Sequence, residues 1–228
     1  MRPPLFLVSH VPTTLPDGEF RLSGLRGSRA TRAQELGPGD EIVLGDGQGG
    51  TATAVVTSVG RGHLDLKVDA ATLTPQPHTT INVIQGVTSA DPDELAVAEL
   101  TALGASEISV LARPSVAAAL PATLWKHWQK VAREAAERSG RPWLPRIEFV
   151  YTHERLQRRL DWGDGGFLLD PSADTTASTV DFSGRTLLIA DDPTPDLDGW
   201  LRRVRLDEHP RNARDAAVAA MTILAARG

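Results

Sequence analysis

The 228-residue chain contains no cysteine. A disulfide framework, a thiolate nucleophile and a Cys-ligated zinc site are therefore excluded, and the cytoplasm is the expected compartment. No apolar run approaches the about 20 residues that a bilayer-spanning helix needs. The N-terminal MRPPLFLVSHVPTT holds one Arg and a short apolar run broken by prolines, too brief for the core of a signal peptide, so neither export nor membrane insertion is expected. Excess positive charge is lacking too. A net charge of −5 is the wrong global sign for a nucleic-acid binder, so any such contact has to be local. Neither a GxSxG elbow nor an HExxH spacing occurs, which leaves serine-hydrolase and zinc-protease chemistry without residues to carry it.

What is present is the composition of a soluble globular protein, 41% hydrophobic and 23% charged. Early in the chain, short β-branched or alternating runs such as EIVLGDG and TATAVVTSV are separated by Gly-rich turns, the pattern of a small β-barrel. Gly45 to Gly50, GDGQGG, lacks the Lys-Ser/Thr of a phosphate-binding loop and precedes no helix, so it reads as a hairpin turn. From Asp69 to Thr80, DAATLTPQPHTT has no periodicity and carries two prolines, as an interdomain linker would.

From Ile81 the pattern changes to alternating strands and helices. INVIQG, EISVLA, RIEFV, GFLLD and RTLLIA read as short apolar strands. The first intervening helix has Asp91 as its cap, Pro92 at its first position and Gly104 at its end. Another begins near Pro121, spaces Leu124, Trp128, Val131, Ala135 and Ala136 along one face, and stops at Gly140. HERLQRRL and the segment around Trp200 read as further helices. The last helix, about Arg211 to Arg227, aligns Ala213, Ala216, Ala217, Ala220, Met221 and Leu224, a small-residue face suited either to its own core or to a second copy. The alternation predicts a mostly parallel sheet covered on both faces.

Charge-bearing candidates are few. Trp125 to Arg146 holds Lys126, Lys130, Arg133, Arg138, Arg141 and Arg146 against Glu134 and Glu137, a local net of +4. Lys126, Lys130, Arg133 and Arg141 are the expected phosphate contacts for an RNA. Asp191, Asp192, Asp196 and Asp198 have hard-cation chemistry, yet a solvated loop entering a helix N-terminus explains them more simply and no metal is expected. His209 has the chemistry of a base. Beside Pro210 it reads as loop surface.

LGPGDEIVLGDGQGG, LAVAELTALGASEI and HWQKVAREAAERSGRPWLPRI, taken in order, resemble the small-subunit ribosomal RNA methyltransferase E family. The likeness runs over nearly the whole chain, although none of the segments is a catalytic signature. It implies an α/β protein with an RNA-binding PUA-like β-barrel over residues 1–72 and a SPOUT-class, trefoil-knotted domain with a mostly parallel sheet over 73–228. It further implies S-adenosylmethionine as cofactor and methylation at N3 of one uridine in small-subunit (16S) ribosomal RNA. The enzyme would be a cytoplasmic homodimer whose partner is ribosomal RNA or the small ribosomal subunit. Carried onto this sequence, the cofactor residues are Leu169, Asp170, Ile189, Ala190, Asp191 and Leu206. Arg211 and Arg214 stand in the neighbourhood of the family's catalytic Arg.

The sequence departs from the family in the loops that carry its chemistry. Where the family has a Gly-Pro-Glu-Gly-Gly run after an apolar strand, RTLLI is followed by Ala190, Asp191, Asp192, Pro193 and Thr194. The family's Leu-Gly-Pro and Leu-Arg-Thr-Glu-Thr-Ala sequence is here LDEHPRNARDAA. Losing glycines removes backbone freedom beside the ligand and implies weakened S-adenosylmethionine binding unless other residues rebuild the pocket. The alternative reading is a catalytically degenerate paralogue that acts as an RNA- or ribosome-binding or subunit-interaction protein.

Overall fold

A computed structural model of the chain describes residues 2–11, 18–32, 35–76, 80–87, 94–112, 114–150, 156, 158, 165–180, 185–190, 201–206 and 213–225. The chain forms two compact units, Met1–Gln76 with Ala136–Leu144, and Pro77–Ala135 with Pro145–Gly228. The boundary expected between residues 72 and 73 thus falls after Gln76, and a later segment joins the first unit.

The first unit contains β1 (Leu5–Leu7), β2 (Glu19–Leu22), α1 (Gly24–Arg32), β3 (Glu41–Gly45), β4 (Gly50–Gly60) and β5 (His63–Leu73). The strand order is β1-β3-β4-β5-β2, with β1 parallel to β3 and the other pairs antiparallel. Alternation sends Ile42 and Leu44, Ala52, Ala54 and Val56, and Leu64 and Leu66 to one face, where they form a buried core with Phe6 and Leu22. GDGQGG is the β3–β4 hairpin: Asp46 Oδ1 accepts from the backbone N–H of Gln48 (2.6 Å) and Gly50 (3.0 Å). Asp69–Leu73, expected as linker, continues β5 instead, because Ala71, Thr72 and Leu73 pair with Ala52, Thr51 and Gly50 across a register shift in β4. Helix α1 had no strong sequence signal, since its glycines and arginines give no apolar stripe. It packs on β5 through Gly27, where a Cβ would stand 2.4 Å from Gly62 O.

Residues 136–144 lie against this unit. Ala136 packs with Leu5, Leu7, Val43 and Leu144. The Glu137 carboxylate accepts from Leu7 N (3.0 Å) and Arg29 Nη1 (2.7 Å). Leu144 N donates to Gly47 O (2.9 Å), and Gly49 N to Pro142 O (3.0 Å). Gly49 has a φ of 90°, and a Cβ there would meet Thr74 O at 2.5 Å and the Trp143 ring at 2.6 Å. The hairpin glycines therefore serve the close approach of a distant segment as well as the turn.

The second unit runs β6 (Thr80–Val87), α2 (Glu94–Leu103), β7 (Glu107–Ala112), α3 (Pro114–Ala119), α4 (Leu124–Ser139, its last turn grouped with the first unit), β8 (Arg146–Val150), β9 (Gly165–Leu169), β10 (Arg185–Ala190), β11 (Arg202–Val204) and α5 (Ala213–Ala225). Its six strands lie in the order β11-β9-β10-β6-β7-β8, and every pair is parallel. One sheet face (Ile81, Val83, Ile108, Val110, Phe167, Val204) packs on Val97 and Leu100 of α2, Trp128 and Ala132 of α4, and Ala216, Ala217, Ala220 and Met221 of α5. The opposite face carries Ile84, Leu111 and Leu168 against Leu156. Two-sided burial explains why these strands read as apolar runs without alternation. α2 ends at Gly104, whose φ is 93°, with Ala105 N reaching back to Leu100 O. Its expected cap, Asp91 and Pro92, lies outside the described residues, as does Trp200 with its expected helix. β11 was not foreseen. Its RRV core carries two arginines and masks a strand that pairs along β9. Among the described residues no helix is long and apolar enough to cross a membrane.

The Glu137 side chain is 6% exposed, so its removal leaves a backbone N–H and a guanidinium without their shared acceptor. Glu137→Ala is predicted to lower stability by about 2 kcal/mol, read as a reduced urea midpoint. A midpoint equal to that of the parent would contradict this role.

Candidate active site

Parallel strands present their carboxyl ends along one edge of a sheet, and open α/β sheets take ligands just beyond that edge. Here the register brings four such ends together. Ala190 of β10 is opposite Leu169 of β9 and Gln85 of β6, and Leu169 is opposite Val204 of β11. The rim therefore offers strand-end backbone, a half-buried Leu169, a buried Leu206 (8% exposed) and a buried Gln85 (6% exposed).

The loop after β9 doubles back along β11. Asp170 N donates to Val204 O (2.9 Å) on the β9 side, while Arg205 N donates to Thr175 O and Ala177 N to Arg205 O, both 2.8 Å, on the other. The chain at Val204–Arg205 thus lies between the end of β9 and residues 175–177. The Asp170 carboxylate braces this loop. Its Oδ1 accepts from Ser172 N (2.8 Å) and Ser172 Oγ (2.7 Å), and its Oδ2 accepts from Arg203 Nη1. These partners hold its carboxyl below the usual carboxylate range, the Ser172 hydroxyl most, then the Ser172 N–H and the Arg203 guanidinium.

Leu169, Asp170, Ala190 and Leu206 are brought to the same rim, with Ile189 the preceding residue of β10. Asp191 and Arg211 lie outside the described residues, as do His209 and the acidic cluster around Asp192. Arg214 falls in the first turn of α5, with Asp215 beside it in the same turn. Among the described residues no cluster has metal-ligand geometry. Of the basic residues, Lys126 and Arg141 are exposed, and Lys130 is exposed with Glu134 at 3.9 Å. Arg133 is half-buried, with one guanidinium nitrogen shielded from solvent, so it does not share the exposure of Lys126 and Lys130. Arg146 is tied to Glu107 (3.1 Å) and Glu148, which removes it from the local positive excess.

Residues 74–190 match the model of the RNA methyltransferase domain, and residues 36–69 that of the RNA methyltransferase PUA domain. The chain belongs to the RNA methyltransferase family. The domain match ends at Ala190, the last residue of β10 and the point at which the family's glycine loop gives way to Asp191 and Asp192. Ribosomal RNA small subunit methyltransferase E of Mycobacterium tuberculosis is 31% identical over 153 residues, covering 64% of this chain and 58% of that protein. The chain thus matches less than two thirds of that relative's length. Ribosomal RNA small subunit methyltransferase E of Neisseria gonorrhoeae, solved bound to S-adenosylmethionine, superposes with a TM-score of 0.77 at 18% identity over 97% of this chain and 96% of its own. A methyltransferase of Legionella pneumophila, solved with the same cofactor, gives 0.77 at 17% identity over 100% and 99%. At these identities the two structures establish the shared fold, a PUA-like domain followed by a SPOUT-type α/β domain.

The rim of this methyltransferase-family chain fits an adenosyl cofactor. Leu169 is half-buried and Leu206 buried there, strand ends carry backbone donors and acceptors, and the nearby Asp170 carboxylate is already paired with Arg203, a mix of apolar surface and backbone polarity such a ligand would take. Sequence reasoning missed Gln85, Ser172 and Arg203. The Asp170-Pro171-Ser172 order carried a usable signal, since Asp followed two residues later by a bonded N–H is a side-chain turn.

Because the folded Asp170 carboxyl titrates below its unfolded counterpart, its contribution to stability is complete at neutral pH. It is lost as pH falls below about 4 and through the lower folded value. Asp170→Asn is accordingly predicted to be less stable than the parent at pH 7, with the gap shrinking toward pH 3 in urea unfolding. A gap of the same size at both pH values would contradict the assignment.

Proposed function

We propose that the chain is an S-adenosylmethionine-dependent RNA methyltransferase that modifies N3 of a uridine in small-subunit ribosomal RNA. The observation that carries this reading is the rim itself: the ends of β6, β9, β10 and β11 lie side by side under a loop that wraps β11. Family membership and the cofactor-bound relatives support it. In this reading the passage of β11 between β9 and residues 175–177 is part of a trefoil knot, and the enzyme works as a cytoplasmic homodimer on ribosomal RNA or the small subunit. The Ala-rich face of α5 is consumed in its own unit's core, so the dimer rests on the family likeness and not on that face.

Leu169, Leu206 and the backbone of Asp170, Ile189 and Ala190 would hold the cofactor, with Asp191 following on the β10 side. When bound, S-adenosylmethionine supplies an electrophilic methyl group. The chain's part is to exclude water with the apolar wall and to orient the base, since holding two reactants in line supplies much of the rate. Arg211 and Arg214 are the proposed catalytic residues, stabilising negative charge on the uracil as its nitrogen attacks. Asp215 beside Arg214 offsets the cost of a cation at a helix N-terminus. Lys126, Lys130, Arg133 and Arg141 are the proposed phosphate contacts, with exposure favouring Lys126, Lys130 and Arg141.

Incubation of the purified chain with small ribosomal subunits and methyl-labelled S-adenosylmethionine is predicted to place label on a uridine, with micromolar binding in calorimetry. Absence of both transfer and binding heats would overturn the enzyme in favour of a non-catalytic RNA-binding paralogue. Charge reversal of Lys126 and Lys130 is predicted to weaken binding to unrelated RNAs alike and to flatten its salt dependence by about two phosphate contacts. An unchanged slope would mean that these lysines form only a solvated helix face.

A further inference from the structure

We propose that Asp170 and Arg203 act as one positioning unit for the cofactor cleft: their ion pair clasps the β9 loop across β11 and holds the rim backbone ready for the ligand. The proposal rests on the reading of that rim as the S-adenosylmethionine site and adds side chains that form it without being its ligands.

Both Asp170 carboxylate oxygens are engaged. Ser172 takes Oδ1 with its N–H and hydroxyl, folding the loop sharply where it leaves β9, and Arg203 takes Oδ2 from the neighbouring strand. Asp170 is therefore the residue at which the loop's own turn and the strand it crosses are joined by side chains. Its side chain is 15% exposed against 43% for Arg203, so the pair sits with the carboxylate inward and the guanidinium at the surface. Charge-assisted bonds of this kind are stronger than neutral ones and fix geometry. Beyond the clasp, residues 175–177 are held against the residue that follows β11, by the bonds of Arg205 N to Thr175 O and Ala177 N to Arg205 O.

The sequence supplies the reason for such a clasp. Where the family shapes its cofactor loops with glycines, this chain has Asp191 and Asp192 after β10 and LDEHPRNARDAA before α5. A cleft that lacks those glycines can still be pre-organised if a neighbouring loop is braced. Apparent affinity falls in proportion to the fraction of molecules in the competent conformation.

The test uses the full chain titrated with S-adenosylmethionine and S-adenosylhomocysteine in parent, Asp170→Asn, Arg203→Ala, Arg203→Lys and the Asp170→Asn/Arg203→Ala double variant. The two single breaks are expected to raise the Kd about tenfold, a change set by lost pre-organisation. The double variant should be no weaker than either single one, and Arg203→Lys should recover part of the loss. RNA affinity should not move, which separates positioning of the cofactor from general loss of structure. Amide exchange at Ala177 and Arg205 should quicken in the broken variants without ligand. If Asp170→Asn does not fold, Arg203→Ala carries the same comparison from an exposed position. Unchanged Kd values in the folded variants, with the parent binding normally, overturn the clasp alone. A parent that binds neither ligand overturns the cofactor reading and the clasp together.

Discussion

Pairing of β9 with β10 on one side and β11 on the other is the constraint on which the second unit's rim depends. Parallel neighbours cannot be joined by a tight hairpin, so each return of the chain has to cross a face or an end of the sheet. Between β9 and β10 the chain leaves on one edge of the β11 segment at Asp170 and lies on the other at residues 175–177. The short strand Arg202–Val204 is thereby paired with β9 on one side, and Arg205 just after it is bonded to residues 175–177 on the other. Apolar burial secures the arrangement from below, with Phe167 and Val204 on the face that packs against α5. Strand ends can meet a ligand with backbone atoms only if their neighbours keep them in register, and this pairing supplies that register.

The first unit depends on a different kind of constraint. Its mixed sheet fills its own core by simple alternation, yet the outer face of β1 and β3 is covered by residues from far along the chain. Glu137 holds that distant segment, and the glycines at 47 and 49 leave room for Leu144 and Trp143. The GDGQGG run is therefore a receiving surface, and the missing side chains at Gly47 and Gly49 are a packing requirement.

Much of this fold was legible because each long element satisfies one rule on its own. INVIQG and EISVLA are buried on two faces and read as mainly apolar runs, RTLLIA pairs between β6 and β9, and Trp128 with Leu124 and Val131 marks the inner face of α4. What was hidden depends on partners far away in sequence. β11 carries arginines because one of them is neutralised by Asp170, a fact invisible from the strand alone. Residues 69–73 looked like a linker because their order comes from β4 and not from any periodicity of their own. At the candidate site, the family likeness named Leu169, Asp170, Ala190 and Leu206, and the strand register brings them to one rim. That likeness could not reveal that the Asp170 carboxylate pairs with Arg203, that Arg133 is half-buried, or that Arg146 is paired with Glu107. A run of charges on paper becomes a binding surface only after such internal pairings are subtracted.

The central claim is that the carboxyl ends of β6, β9, β10 and β11 together form the seat of S-adenosylmethionine. Amide chemical-shift mapping of the isotopically labelled full chain during titration with that ligand tests it residue by residue. The account predicts saturable shifts concentrated at Gln85, Leu169, Asp170, Ala190 and Leu206, with the β3–β4 hairpin unmoved. Shifts that are absent, or that cluster on the first unit while these strand ends stay silent, would contradict it.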